Sequence, residues 1–119
     1  LNHPHIISFL DSFLSEKDMH IILEWASRGD LKRVLRRAVA SELYLPEGQI
    51  WEYMRQLSSA LSYMQTKRIM HRDIKAANVF LHNTGTDFLQ MDIVKLGDFG
   101  IAKVLEKTMD KCNTVAGTP

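Results

Sequence analysis

The sequence predicts an α+β fold on three observations. Two short apolar runs split by a charged turn open the chain, two stretches of helical period follow, and two more short β runs come after them. At 119 residues, 45% hydrophobic and 24% charged, the chain holds enough apolar material for one core. Its 15 basic and 14 acidic side chains leave a net charge of +1, so composition points to neither nucleic acid nor a membrane surface. No apolar run is long enough to cross a bilayer as a helix, and no signal-peptide pattern opens the chain. The single cysteine, Cys112, cannot close an internal disulfide, which fits a reducing compartment. The chain opens on Leu1 rather than Met and stops at Thr118-Pro119, and so reads as a piece of a longer one.

In chain order, Ile6–Phe13 and Met19–Glu24 flank Ser15-Glu16-Lys17-Asp18, a β-hairpin pattern. Gly29 then punctuates, and Asp30 can cap a helix over Leu31–Ala40. There Leu31, Val34, Leu35 and Ala38 share one face, while Lys32, Arg33, Arg36 and Arg37 form a solvated one. Pro46 suits the first turn of a second helix running to about residue 66. In it Ile50, Met54, Leu57, Leu61 and Met64 mark a stripe expected to be buried. The helical period stops after Lys67-Arg68. Asn78–Leu81 and Ile93–Leu96 read as strands around a turn-rich stretch at His82–Asp92, and Ile101–Leu105 leads into an aperiodic polar tail.

Two segments carry chemistry. His71-Arg72-Asp73-Ile74-Lys75-Ala76-Ala77-Asn78 has the spacing H-R-D-x-x-x-x-N, and Lys95-Leu96-Gly97-Asp98-Phe99-Gly100 contains D-F-G. Both match the signature set of protein kinases, in the order that set requires. Taken singly, Asp73 reads as a turn residue, Asn78 as a loop amide and Asp98 as a helix cap. Together those readings require two motifs to arise by coincidence. Phosphoryl transfer needs mainly positioning and charge neutralisation. In that scheme Asp98 and Asn78 hold magnesium on the ATP phosphates, and Asp73 accepts the proton of the acceptor hydroxyl. Lys75 points the same way as Asp73 in an extended loop and can meet the γ-phosphate. His71 and Phe99 are expected to support by packing and hydrogen bonding, and Gly100 lends backbone freedom.

The whole chain resembles eukaryotic serine/threonine protein kinases, most of all the NIMA-related (Nek) group. The resemblance rests on Leu1-Asn2-His3-Pro4-His5-Ile6-Ile7, Leu10-Asp11-Ser12-Phe13, Gly29-Asp30-Leu31, Ile69-Met70-His71-Arg72-Asp73-Ile74-Lys75 and Asn78-Val79-Phe80-Leu81. It implies a partial protein-kinase-like fold: N-lobe strands over 1–23, a hinge over 24–29, and part of the C-lobe over 30–119. Within the last lie a catalytic loop at 71–78 and an activation segment at 98–119. Leu23 then falls at the gatekeeper position, Glu24, Trp25 and Ala26 offer hinge backbone to adenine, Phe80 lies under the adenine ring and Asp30 near the ribose. Phe9, His71 and Phe99 look like members of an apolar column joining the lobes.

Thr114-Val115-Ala116-Gly117-Thr118-Pro119 is similar to the end of a serine/threonine kinase activation segment, with Thr118 meeting the catalytic Asp73 and Lys75. By the same resemblance Thr114 takes an activating phosphate, received by Arg72 and Lys103, with Thr108 a lesser site. Ala77 stands where arginine-directed kinases often carry Glu, so a hydrophobic preference upstream of the target residue is expected instead. The implied cofactors are ATP and Mg2+, and the implied partners are proteins bearing Ser or Thr. The implied location is cytoplasmic, with cytoskeletal or nuclear association by analogy.

Two departures stand out. His82–Asp92 is longer than the usual tight hairpin, which reads as a surface extension. The sequence also carries no glycine-rich phosphate loop, no Val-Ala-Ile-Lys-like strand and no Ala-Pro-Glu motif. The piece alone is therefore expected to be inactive, and a scaffolding pseudokinase stands as the alternative to an active parent.

Overall fold

The computed structural model describes residues 2–83, 85 and 91–97. Strands β1 (Phe9–Ser15) and β2 (Asp18–Leu23) form the predicted antiparallel hairpin. Its two-residue turn places Glu16 and Lys17 at φ 49° and 76°, the left-handed conformation that lets a tight turn follow strand twist. The first strand begins later than the sequence suggests. Ile6 instead forms a parallel bridge to Leu96 in the second hairpin and is fully buried there.

Helix α1 (Leu31–Ala40) has the predicted limits, and the Asp30 carboxylate caps it by accepting from the Arg33 backbone N–H at 2.8 Å. Val34 is buried, Leu31 packs on the core, and Leu35 is exposed. Lys32, Arg33, Arg36 and Arg37 face solvent as expected. Helix α2 (Glu47–Thr66) starts one residue after Pro46, which sits at the cap rather than inside the first turn. Both helices end in the same way. Glu42 and Arg68 take φ 55° and 56°, and the next residues, Leu43 and Ile69, donate back to Ala38 and Met64, each at 2.9 Å.

The predicted stripe on α2 requires correction. Met64 is buried and Leu57 packs on the core, but Ile50, Met54 and Leu61 are exposed. Tyr53, Gln56, Ala60 and Met64 are the residues turned inward. At 3.6 residues per turn, that face is rotated by roughly 75° from the apolar stripe. Two polar side chains on the inner face bond to the second hairpin, and periodicity in hydrophobicity alone cannot register them.

That hairpin is the centre of the fold. A 3-10 turn at Ala76–Asn78, where the sequence suggests the strand start, leads into β3 (Val79–His82), which pairs antiparallel with β4 (Ile93–Leu96). Val79, Leu81, Val94 and Leu96 alternate inward and are all buried, joining Ile6, Val34, Tyr53, Ala60 and Met64 in one core. Among the described residues no helix is long and apolar enough to cross a membrane.

Candidate active site

The end of α2 delivers the chain into residues 71–78. Arg72 takes φ 70°, a conformation disfavoured for a side-chain-bearing residue, so the flanking hydrogen bonds must hold it. They come from His71. Its Nδ1 accepts the Asp73 backbone N–H at 3.1 Å, and its Nε2 donates to the Gly97 carbonyl at 2.6 Å. One ring nitrogen accepts and the other donates, which selects the tautomer with hydrogen on Nε2. The imidazole thus ties the loop to the end of β4.

Asn78 is buried, and its Nδ2 donates to the Asp73 carbonyl at 2.8 Å and to Asp73 Oδ2 at 3.0 Å. Lys75 Nζ stands 3.6 Å from Asp73 Oδ1, too far for a hydrogen bond but near enough to set the local field. Both side chains are about half exposed, so this pair contributes little stability. Its effect is placement: an accessible carboxylate, a cation and an amide converge on one spot. Because both Asn78 bonds leave from Nδ2, the amide oxygen is not committed to Asp73 and suits a hard cation.

The connector over residues 24–29 joins β2 to α1. Glu24 is gripped by the Ser8 backbone N–H at 3.0 Å and by Lys95 Nζ of β4 at 2.8 Å. Burial pushes its carboxyl up, but the bonds from Lys95 and Ser8 outweigh this and hold it below its ordinary value. Trp25 is exposed and Ala26 buried. Phe80, bridged through its backbone to Asp30, lays its ring against Gly97.

A buried carboxylate lies behind the connector. Asp92 accepts from Arg28 Nη1 at 2.5 Å, Tyr53 Oη at 2.5 Å, Asn83 Nδ2 at 3.0 Å and Gln49 Nε2 at 3.4 Å. Gln56 closes the arrangement, donating to the Asp92 carbonyl at 3.2 Å and accepting the Val94 N–H at 2.6 Å. Burial raises the Asp92 carboxyl, but the hydrogen bonds from Tyr53, Arg28 and Asn83 prevail and lower it. Burial and the Asp92 bond drive the Tyr53 phenol far up, and the Asp92 bond raises the Arg28 guanidinium.

With that geometry in place, comparison with known proteins decides the family: the profile described as protein kinase domain matches residues 1–119. The chain belongs to the protein kinase domain family. It is 36% identical over 119 residues to a probable serine/threonine-protein kinase nek3 of Dictyostelium discoideum and 37% over 119 residues to serine/threonine-protein kinase Nek5 of Homo sapiens. Serine/threonine-protein kinase Nek4 of Mus musculus is 38% identical over 120 residues. Each match takes in all of this chain but only 10%, 16% and 14% of the respective relative, so the chain spans about a tenth to a sixth of their length.

Within this kinase chain the structure brings Asp73, Lys75 and Asn78 together and sets Leu23, Glu24, Trp25, Ala26, Asp30 and Phe80 along the connector and its neighbouring strand. Arg72 is exposed beside Asp73. Asp98, Phe99, Gly100, Lys103, Thr108, Thr114 and Thr118 lie outside the described residues, as does most of the interior of the 82–92 stretch. Sequence reasoning missed Arg28, Tyr53, Asp92 and Lys95. Each is an ordinary residue in a linear pattern, and their partners stand up to 71 positions away, the separation of Glu24 from Lys95.

Proposed function

We propose that the protein containing this chain transfers the γ-phosphate of ATP to serine and threonine hydroxyls of protein substrates. The observation that carries this reading is the convergence of Asp73, Lys75 and Asn78 on one accessible spot. Asn78 occupies Asp73 Oδ2, and among the described residues Oδ1 has no hydrogen bond, so Oδ1 is the atom that takes the proton from the acceptor hydroxyl. Lys75 stabilises negative charge developing beside that oxygen. Magnesium-bound ATP would supply the activated phosphoryl group, with Asn78 and Asp98 holding the metal and the connector backbone at 24–26 meeting adenine. The serine/threonine preference is supported by Lys75, by Thr118 and by the names of the Nek relatives. Those names, together with an intact catalytic loop, lend no support to a scaffolding pseudokinase.

Two further parts of the proposal concern control and place. Phosphorylation of Thr114 activates the enzyme, with Arg72 and Lys103 receiving the phosphate. The location is cytoplasmic, in keeping with a lone cysteine, with cytoskeletal or nuclear association by analogy with the Nek group.

The deciding experiment is Asp73→Asn in the full-length protein. Turnover should fall by about 10²-fold or more, as for loss of a general base, while nucleotide affinity stays within about twofold. Near-normal turnover would remove Asp73 from the mechanism.

A further inference from the structure

The end of the connector is itself anchored by backbone and side-chain hydrogen bonds. Arg28 N donates to the Leu81 carbonyl and Leu81 N to the Gly29 carbonyl, both at 2.9 Å, so the connector runs beside β3 like an extra strand. Ser27 adds a bond from its N–H to His82 Nδ1 at 3.1 Å and one from its hydroxyl to the Asn83 carbonyl at 3.0 Å. From this anchored stretch the Arg28 side chain reaches Asp92, which is 3% exposed and also bound by α2 through Tyr53 and Gln49. One carboxylate therefore joins connector, hairpin and long helix.

Apolar side chains would hold a hairpin on a helix at least as well as a buried charge does, so stability alone gives no reason for an acid at this position. What an ion pair adds is a defined geometry. Arg28 is 42% exposed, so solvent screens the pair and losing it need not unfold the domain. The position is also pointed. Asp92 directly precedes β4, whose Lys95 holds the other end of the connector through Glu24, and Asp98 follows β4 by two residues.

We propose that Asp92 is a positioning residue that, through Arg28, fixes the connector at 24–29 against strand β4 and so holds the hinge at the spacing ATP requires. This rests on the kinase reading above and adds a determinant of nucleotide affinity to it.

The test uses the full-length protein with Arg28→Gln, Asp92→Asn, their combination, and Arg28→Lys. Arg28→Gln and Asp92→Asn should each raise the KM for ATP and the Kd for a fluorescent ATP analogue by roughly 3–10-fold, less than the direct cost of a lost charge-assisted hydrogen bond because the pair reaches the nucleotide only through the connector, with the KM for a peptide acceptor unchanged. The double variant should be no worse than the worse single one, because both remove the same contact. Arg28→Lys should recover most of the affinity. Should Asp92→Asn fail to fold, the exposed Arg28 pair decides alone. Lower kcat or melting temperature with an unmoved KM for ATP would mean a merely structural role and overturn the proposal. A wild type that binds no nucleotide would overturn the kinase reading and this one with it.

Discussion

At Gly97 the carbonyl accepts from His71 Nε2 at 2.6 Å while the amide donates to the Asn78 carbonyl at 2.7 Å, so the residue cannot shift to relieve a crowded neighbour. A Cβ built there would lie 2.5 Å from Phe80 Cε2 and 2.8 Å from Cδ2. Phe80 is itself held in β3 opposite Lys95, so its ring must turn rather than its backbone retreat. Gly97→Ala should therefore destabilise the domain by about 1–3 kcal/mol, the usual cost of overpacking. If Phe80 lies under adenine, nucleotide affinity should fall with it. Thermal denaturation with and without nucleotide checks both, and an unchanged melting temperature would show that the ring moves freely. The motif around Gly97 was legible in the sequence, but its reason for being glycine was not, since Phe80 is 17 positions away.

Helix α2 shows where element-level reading succeeds and where it stops. Its limits followed from Pro46 and the end of the helical period at Lys67-Arg68, yet its inward face did not follow from its apolar stripe. The stripe marks what is apolar, whereas the hairpin selects Tyr53 and Gln56 because they satisfy Asp92 and the Val94 N–H. Tyr53→Phe keeps the ring and removes the donor, leaving the buried carboxylate one bond short. The expected cost at neutral pH is about 1–3 kcal/mol. The pH dependence has a definite sign. The folded Asp92 carboxyl lies below its unfolded value despite burial, so its stabilisation is complete above the ordinary carboxylate range near ~4 and is lost as pH falls through the folded value. The gap between wild type and Tyr53→Phe should thus narrow in acid. A gap that widened on acidification would mean the phenol does not serve the ionised carboxylate.

Across the whole molecule, the candidate site was plain in the sequence because the proposed phosphoryl transfer would demand particular residue types at short spacing, as in Asp73 to Asn78. Long-range ties such as Arg28–Asp92 have no such local signature. Surface exposure follows the same division. The hairpin and α2 meet through a buried core, but Leu10, Phe13 and Leu14 on β1 and Ile50, Trp51, Met54 and Leu61 on α2 remain exposed. Apolar surface of that extent, on both a strand and a helix, favours association over solution as a monomer. The 119-residue chain alone should therefore bind a hydrophobic dye strongly and grow in light scattering with concentration. Replacing Met54 and Leu61 with Gln should reduce both signals with little loss of helix content, since neither side chain belongs to the core. Replacing Met64, which is 1% exposed, should instead lower helix content by opening a cavity. A wild-type chain that sediments as a monomer at high concentration and ignores the dye would show that these faces are covered in solution by a rearrangement of the chain itself.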